Sequence, residues 1–568
     1  MNKRKNPGLK TTHPKTLPKP KIWVWIAGIV LITLLAYTPV FSDLKEFTNW
    51  DDYAYATDQP LIKNLDGETI GNLFKPSTTV MLNYHPLTMI SLAWDYQQGF
   101  DDTNNTLSIT PFVRTNVVLH LLNTALVFLL LYRLSRRKIW AAALPALLFG
   151  IHPMHVESVA WISERKDVLY CFFLLVSSIS YLQYIDTKKT WWLGLSFILF
   201  IASCLSKAMA VPLPLVLLLI DYLENRKINF KILLEKLPFV IVSIILGIMA
   251  LQPQRLAMGG AADTPAFYRF LYGCYGFVVY WLKLIVPIRL SAFYPYPALT
   301  KSGGLPVIYY LMSVIALAII ITPFILIRRR KNARNQVILF GVLLFLAMTV
   351  LVLQFISVGP AIMADRYSYV SYIGPLFIAG VFLQDLVENP KTRSIILGIV
   401  SAYCLLLAIT TYNRISVWQN SETLWTDVIK KYPYEIEQVG NNTVIKRIGA
   451  KTAYKNLADW YAEHQQLDSA YNYYHVLVLA GTKDAEVWSS VCNIYAMKGQ
   501  LPEALNAINK AISYDPKNTD NYIKRGLVHM QQGKTDDAIA DMNIVLAADP
   551  SNAQAKDLRN KFMEHHPR

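Results

Sequence analysis

Adjacent carboxylates open the list of residues that could do chemistry: Asp51 and Asp52, in FTNWDDYAY, about ten residues beyond an apolar run at 22–41. At the edge of a low-dielectric phase such a pair can supply a general base, since burial and a like-charged neighbour both raise a carboxyl pKa. A solvated helix cap is the competing reading. A second cluster, HPMHVESVAWISERKD, runs from 152 to 167 at the end of another apolar run. There His152 and His155, three apart, could share a helix face, and Glu157 could hold an imidazole or a metal. Pro153 interrupts that helix and no HExxH spacing exists, so hydrogen bonding inside the bundle competes for His152. Three cations, Arg165, Lys207 in CLSKAMA and Arg366 in MADRYSYVSY, stand at the ends of apolar runs. They read either as interfacial anchors or as a converging site for a lipid-linked phosphate, with Asp167 and Asp365 as orienting partners and Tyr367 beside them. His85, in NYHPLT, reads as a turn residue or an acceptor-side group.

The elements that must position these groups are membrane helices. Of 568 residues, 53% are apolar and 17% charged, and mean hydropathy is +0.29, which argues against a soluble or disordered chain. Apolar runs recur at 22–41, 112–132, 139–160, 168–185, 190–205, 208–223, 237–251, 305–327, 336–357, 368–387 and 394–412. With the N-terminus inside and one crossing per run, the cytoplasmic segments hold 24 Lys/Arg against 4 Asp/Glu, and the first outer loop, 42–111, holds 3 against 10. That is the positive-inside pattern, and it absorbs the net charge of +16 without a nucleic-acid partner. A further run at 267–287 would invert the pattern by placing RRRK (328–331) outside, so a re-entrant or interfacial helix pair is expected there, with a crossing as the alternative. About 11 crossings then place the C-terminus outside. Four of the five cysteines lie in apolar runs and read as small core residues.

Beyond Trp418 the composition turns polar, and a 34-residue self-similarity appears. Ala504, Ile508, Ala511 and Pro516, with Trp488, Tyr495 and Gly499, fit a tetratricopeptide repeat. The pattern recurs 34 residues on at Tyr522, Gly533, Ala538 and Pro550, and 34 back at Tyr454, Tyr461 and Ala470. Three repeats are expected over 451–552, with 553–565 capping them and SETLWTDVIKKYP (421–433) as a degenerate repeat helix. The expected domains are a basic tail (1–21), a transmembrane domain (22–412), a linker with that helix (413–450) and the repeats with their cap (451–568). The fold class is all-α, a polytopic membrane bundle followed by an α-solenoid. No Walker loop, GxGxxG, GxSxG or CxxC occurs.

Taken in order, WDD (50–52), HPLT (85–88), HPMHVESVAW (152–161), Arg165 with Asp167, Lys207, DRYSYVSY (365–372), WQNSETLW and the terminal repeats resemble the membrane O-mannosyltransferases that carry tetratricopeptide repeats, within the GT-C glycosyltransferases. The resemblance implies inverting transfer of a sugar from a polyprenyl- or dolichyl-phosphate donor to a hydroxyl, Ser/Thr of a protein, on the non-cytoplasmic face. It implies Asp51 as general base, Asp52 as its assistant, and Arg165, Lys207 and Arg366 as the groups that neutralise the departing lipid phosphate. The expected partners are the lipid donor, membrane lipid and an acceptor protein recruited by the repeats. No cofactor is implied, and a divalent cation stays open. A bacterial inner membrane with periplasmic repeats is expected, with the endoplasmic reticulum and lumenal repeats as the alternative. Two other function classes compete: a transporter or flippase of lipid-linked sugars, and a scaffold that docks an envelope partner.

Overall fold

A computed structural model describes residues 21–257, 264–300, 303–355, 359–439, 442–447 and 449–564. The expected basic tail lies outside the described residues, apart from Lys21. The chain folds as helices α1 (Ile22–Ala36) and α2 (Pro39–Asp43); α3 (Gly67–Leu73) and α4 (Pro86–Gly99) in the first loop; α5 (Thr110–Leu134), α6 (Trp140–Ile151), α7 (Val156–Ala160), α8 (Arg165–Thr187), α9 (Thr190–Ser206), α10 (Leu213–Leu223) and α11 (Phe230–Ala257). Then follow α12 (Ala266–Ile285), α13 (Val307–Arg329), α14 (Ala333–Thr349), α15 (Ile373–Glu388) and α16 (Arg393–Ile415). In lipid the backbone must satisfy its own hydrogen bonds, so each apolar run becomes a helix. Each of the eleven runs holds at least one helix, and among the described residues seven helices are long and apolar enough to cross a membrane by themselves.

Two runs are interrupted, and proline explains both. The first breaks at Pro39, which has no N–H to continue the ladder and whose ring crowds the carbonyl four residues back, giving α1 and then α2. The run at 139–160 is not one helix. α6 stops after 12 residues at Ile151, and Pro153 starts a 3-10 turn, followed by α7 and a second 3-10 turn at Ile162–Glu164 that feeds α8. Nearly everything between 152 and 164 is buried, so this chain reversal is packed inside one end of the bundle.

The 267–287 run forms one unbroken helix, α12, rather than a helix pair. Both its ends are tied to the same end of the bundle: Tyr268 Oη donates to the Gly303 carbonyl (3.0 Å) just ahead of α13, and the Leu284 carbonyl accepts from His152 Nε2 (3.1 Å) at the end of α6. Gly273 lets the chain at 353–355 lie directly on α12, since a Cβ there would stand 2.6 Å from the Leu353 carbonyl oxygen.

Among the described residues three two-stranded antiparallel ladders decorate the helices, none of them expected: β1 (Phe100–Asp101) with β2 (Thr106–Leu107), β3 (Tyr294–Pro295) with β4 (Ala361–Met363), and β5 (Glu435–Val439) with β6 (Asn442–Arg447). The second pins the loop after α12 to the strand that leads into Asp365 and Arg366.

α17 (Ser421–Lys431) is fixed by a reciprocal cap between Asn420 and Thr423 and packs on the first repeat helix. The repeats are α18 (Lys451–Glu463) with α19 (Leu467–Leu479), α20 (Ala485–Met497) with α21 (Leu501–Tyr514), and α22 (Thr519–Gln531) with α23 (Thr535–Ala548), followed by α24 (Ala553–Glu564). The first helices and α24 begin at 451, 485, 519 and 553, a constant step of 34. Gly499 and Gly533, both at positive φ, end α20 and α22 in the same turn.

Candidate active site

The first loop, the 152–164 reversal, the start of α8, the end of α9 and the 361–368 segment meet at one end of the bundle. Glu164 is the pivot. Its buried carboxylate lies 2.9 Å from Lys207 Nζ, 3.4 Å from Lys166 Nζ and 3.2 Å from Arg366 Nε. Lys207 also pairs with Asp167 (2.6 Å), which accepts a further bond from Ser158 Oγ (3.1 Å). Glu157 binds both the guanidinium of Arg366 and its backbone N–H (3.0 Å). Three cations and three carboxylates thus interlock, and Lys207 and Arg366 keep about 14% and 16% of their side chains exposed, enough to meet a ligand.

The two loop carboxylates diverge. Asp52 is buried and saturated, accepting from Thr48 N (2.9 Å) and Oγ1 (2.8 Å) and from Ser163 N (3.0 Å) and Oγ, which latches the first loop to the turn carrying Glu164. Asp51 is partly exposed, and its carboxylate has no hydrogen-bond partner among the described residues. Burial pushes its pKa above the ordinary carboxyl value; Lys166 and Arg366 oppose that rise, and Glu164 adds to it.

Trp50 holds Asp51 in place. It stacks on Trp161 (centroids 4.4 Å apart, planes 17° apart), which stacks in turn on Trp418 (5.5 Å), while Trp425 leans on Trp50 at 5.1 Å. The Arg366 guanidinium lies 5.3 Å from the Trp161 ring and 5.0 Å from that of Tyr367. Asn49 fastens the same loop to the C-terminal half. Its N–H donates to Ser421 Oγ (2.8 Å), its Nδ2 donates to the Asn456 carbonyl (2.7 Å), and its Oδ1 accepts from Trp425 Nε1 (2.8 Å). Tyr53 Oη reaches Glu463 at 3.3 Å.

His85 is 3% exposed and stacked on Tyr55, whose ring also carries Lys166 Nζ 4.6 Å from its centre. Burial first, then Lys166 and Lys207, lower its pKa to about 3, so the imidazole is neutral. Its Nε2 has no protein partner among the described residues, and neither has Trp161 Nε1. Two orphaned polar nitrogens beside a cation cluster are what a site built for an oxygen-rich ligand leaves open.

Four expected site residues stand elsewhere. Arg165 is fully buried on the opposite side of the α8 start. It pairs with Asp95 (2.5 Å) and donates to the Phe112 carbonyl (2.7 Å), Ser91 Oγ (2.6 Å) and the Asn116 amide oxygen. With its fork consumed, it holds α8 to α4 and α5 and offers nothing to a ligand; Lys166 takes its place in the cluster. Arg165→Ala should therefore destabilise the protein by about 3–5 kcal/mol, the range for breaking a buried pair, with the detergent-solubilised chain melting earlier. Undiminished thermal stability would contradict this.

His152 and His155 share no helix face. His152 caps a turn through Met154 N (3.3 Å), and His155, in the 3-10 turn, donates from Nδ1 to the Phe149 carbonyl (2.8 Å) among Tyr369 and Phe149. Asp365 does not orient Arg366. It accepts from Tyr294 Oη, and burial raises its pKa while Lys283 and Arg414 lower it. Among the described residues no three His, Cys, Asp or Glu side chains gather as metal ligands.

A many-helix bundle with a charged, tryptophan-walled site at one end, continuous with a tetratricopeptide solenoid, defines a multi-pass membrane protein with an attached repeat domain. A family model described as TPR repeat matches residues 493–533. The chain is similar to proteins named protein O-mannosyl-transferase. Tmtc2 of Drosophila melanogaster is 30% identical over 149 residues, covering 25% of this chain and 15% of that protein. F38B6.6 of Caenorhabditis elegans is 21% identical over 430 residues, covering 72% and 58%. The chain thus spans less than two thirds of the length of these relatives. Among solved structures, ArnT from Cupriavidus metallidurans bound to undecaprenyl phosphate aligns over 92% of this chain and 80% of its own, at 13% identity and a TM-score of 0.35.

Proposed function

We propose that this chain is a GT-C type inverting glycosyltransferase that moves a sugar, mannose by its relatives' names, from a polyprenyl- or dolichyl-phosphate donor to a Ser/Thr hydroxyl of a protein. The observation that carries the reading is the unpartnered, partly exposed Asp51 carboxylate beside the Lys166, Lys207 and Arg366 cluster. Asp51 takes the proton of the acceptor hydroxyl while the hydroxyl oxygen attacks the anomeric carbon. The bond from that carbon to the lipid phosphate breaks on the opposite face, which inverts the configuration. The phosphate leaves with the bonding pair, and Lys166, Lys207 and Arg366 meet its charge, with His85 Nε2–H as a neutral donor. Glu157, Glu164 and Asp167 hold the cations ready. Asp52 positions the loop. Site and repeats lie on the non-cytoplasmic face, opposite RRRK.

Purified full-length chain in nanodiscs, given polyprenyl-phosphate mannose and a Ser/Thr-rich peptide, should form an α-linked product from a β-linked donor. Absence of transfer from every lipid-phosphate sugar tried would overturn the reading.

Stacked repeats of this kind build concave surfaces suited to a peptide, and in this reading they recruit the acceptor. A chain ending at 484 with residues 553–564 fused on as a cap keeps Asn456 and Glu463. It should lose transfer to whole proteins about 100-fold or more, through lost local concentration, yet still modify a short peptide at high concentration. A chain ending at 450 keeps Ser421 and Trp425 but lacks Asn456 and Glu463, so the Asp51 loop is held less firmly and both activities should fall. Equal glycosylation of all protein targets by the 484 chain would contradict recruitment.

A further inference from the structure

On the face where α1, α6 and α16 meet, an apolar groove of about 650 Å³ runs along the helices, away from the site described above. Val24, Gly28 and Ile32 of α1, Ala143 and Leu147 of α6 and Cys404 of α16 line it. Its lining is mostly apolar, with Ser401 the one hydroxyl, so within a bilayer an alkyl chain fits it. Small residues make the space: a side chain at Gly28 would meet nothing within 4 Å.

The charge at one mouth says which lipid. Trp25 and Trp140 meet edge to face (4.9 Å) at the starts of α1 and α6, while the far ends of α6 and α16 meet where Thr411 Oγ1 donates to the Ile151 carbonyl (2.7 Å). The three helices are therefore parallel, and all three begin at the mouth farther from Asp51. Each carries a cation within about a turn of its first lining residue: Lys21 before Val24, Lys138 before Trp140, Arg393 before Leu397. Lys391, Arg136 and Arg137 stand beside them. The facing acids are few: Asp385 is paired with Arg334 and lies 4.0 Å from Lys138, and Glu388 accepts from Gln384 (2.6 Å). Three helix N-termini converging there add partial positive charge.

We propose that this groove is a binding site for an anionic phospholipid of the bilayer, one acyl chain lying along α1, α6 and α16 and the phosphate headgroup held by Lys21, Lys138 and Arg393. It lies on the opposite leaflet from the proposed donor and needs no catalysis to be tested.

Native mass spectrometry of the full chain, released from nanodiscs of mixed phosphatidylglycerol and phosphatidylcholine, reads it out. Wild type should retain phosphatidylglycerol over phosphatidylcholine. Gly28→Leu, which fills open space, should lose the retained lipid. Lys138→Gln with Arg393→Gln, at exposed positions, should keep a lipid but lose the anionic preference, by about fivefold per cation, which corresponds to roughly 1 kcal/mol for one basic residue at an anionic surface. Equal retention of both lipids by wild type, unchanged retention in Gly28→Leu, or displacement of phosphatidylglycerol by polyprenyl phosphate alone would overturn the proposal, the last by assigning the groove to the donor's tail.

Discussion

Asp51→Asn is expected to lower sugar transfer about 100- to 10,000-fold, the usual contribution of a positioned general base, while the protein melts at the wild-type temperature. The reason is local: the Asp51 carboxylate bonds to nothing that holds the fold, so an amide there costs only the proton acceptor. Asp52→Asn should behave in the opposite way. It turns an oxygen that accepts from Ser163 or Thr48 into an NH2 facing donors, so roughly 1–3 kcal/mol of stability goes for each unsatisfied group. Activity then falls with folded fraction. Turnover and thermal unfolding measured on the same preparations separate the two, and wild-type turnover in Asp51→Asn would remove Asp51 from the chemistry.

Glu164→Gln should have the largest effect on the folded site. One carboxylate stands between Lys166, Lys207 and Arg366, and its neutralisation leaves like charges facing each other with only Glu157 and Asp167 to balance them. Loss of a buried partner typically costs about 3–5 kcal/mol. An added anion should restore part of this. Polyprenyl phosphate should therefore raise the melting temperature of Glu164→Gln by more than that of wild type, whereas the parent polyprenol should not. Equal shifts in the two proteins would show that the cations do not converge on the lipid phosphate.

Every apolar run became helical, two of them in broken pieces, because lipid leaves the backbone no other partner, and the repeats were legible because each packing contact recurs at a fixed step. Side-chain direction was not. In ERKD (164–167) Arg165 and Asp167 were the expected pair, but neighbouring residues face different ways, and it is Glu164, Lys166 and Asp167 that reach the site while Arg165 points to Asp95. The same rule separates Asp51 from Asp52 and could have flagged the error. The tryptophan stack was hidden for another reason: Trp50, Trp161 and Trp425 come from three distant segments, and no periodicity links them. Asn49 likewise carries no signal of its own, since its role consists of its partners.

Those partners lie far along the chain: Ser421 is 372 residues beyond Asn49, and Asn456 is 407 beyond it. At about 5–20 residues per second, the ribosome needs roughly 20 to 80 s between making the loop that bears Asp51 and making the groups that clamp it. Through that interval the nascent chain carries its first loop without the groups that clamp it. The clamp on that loop is therefore complete only once residue 456 has been made.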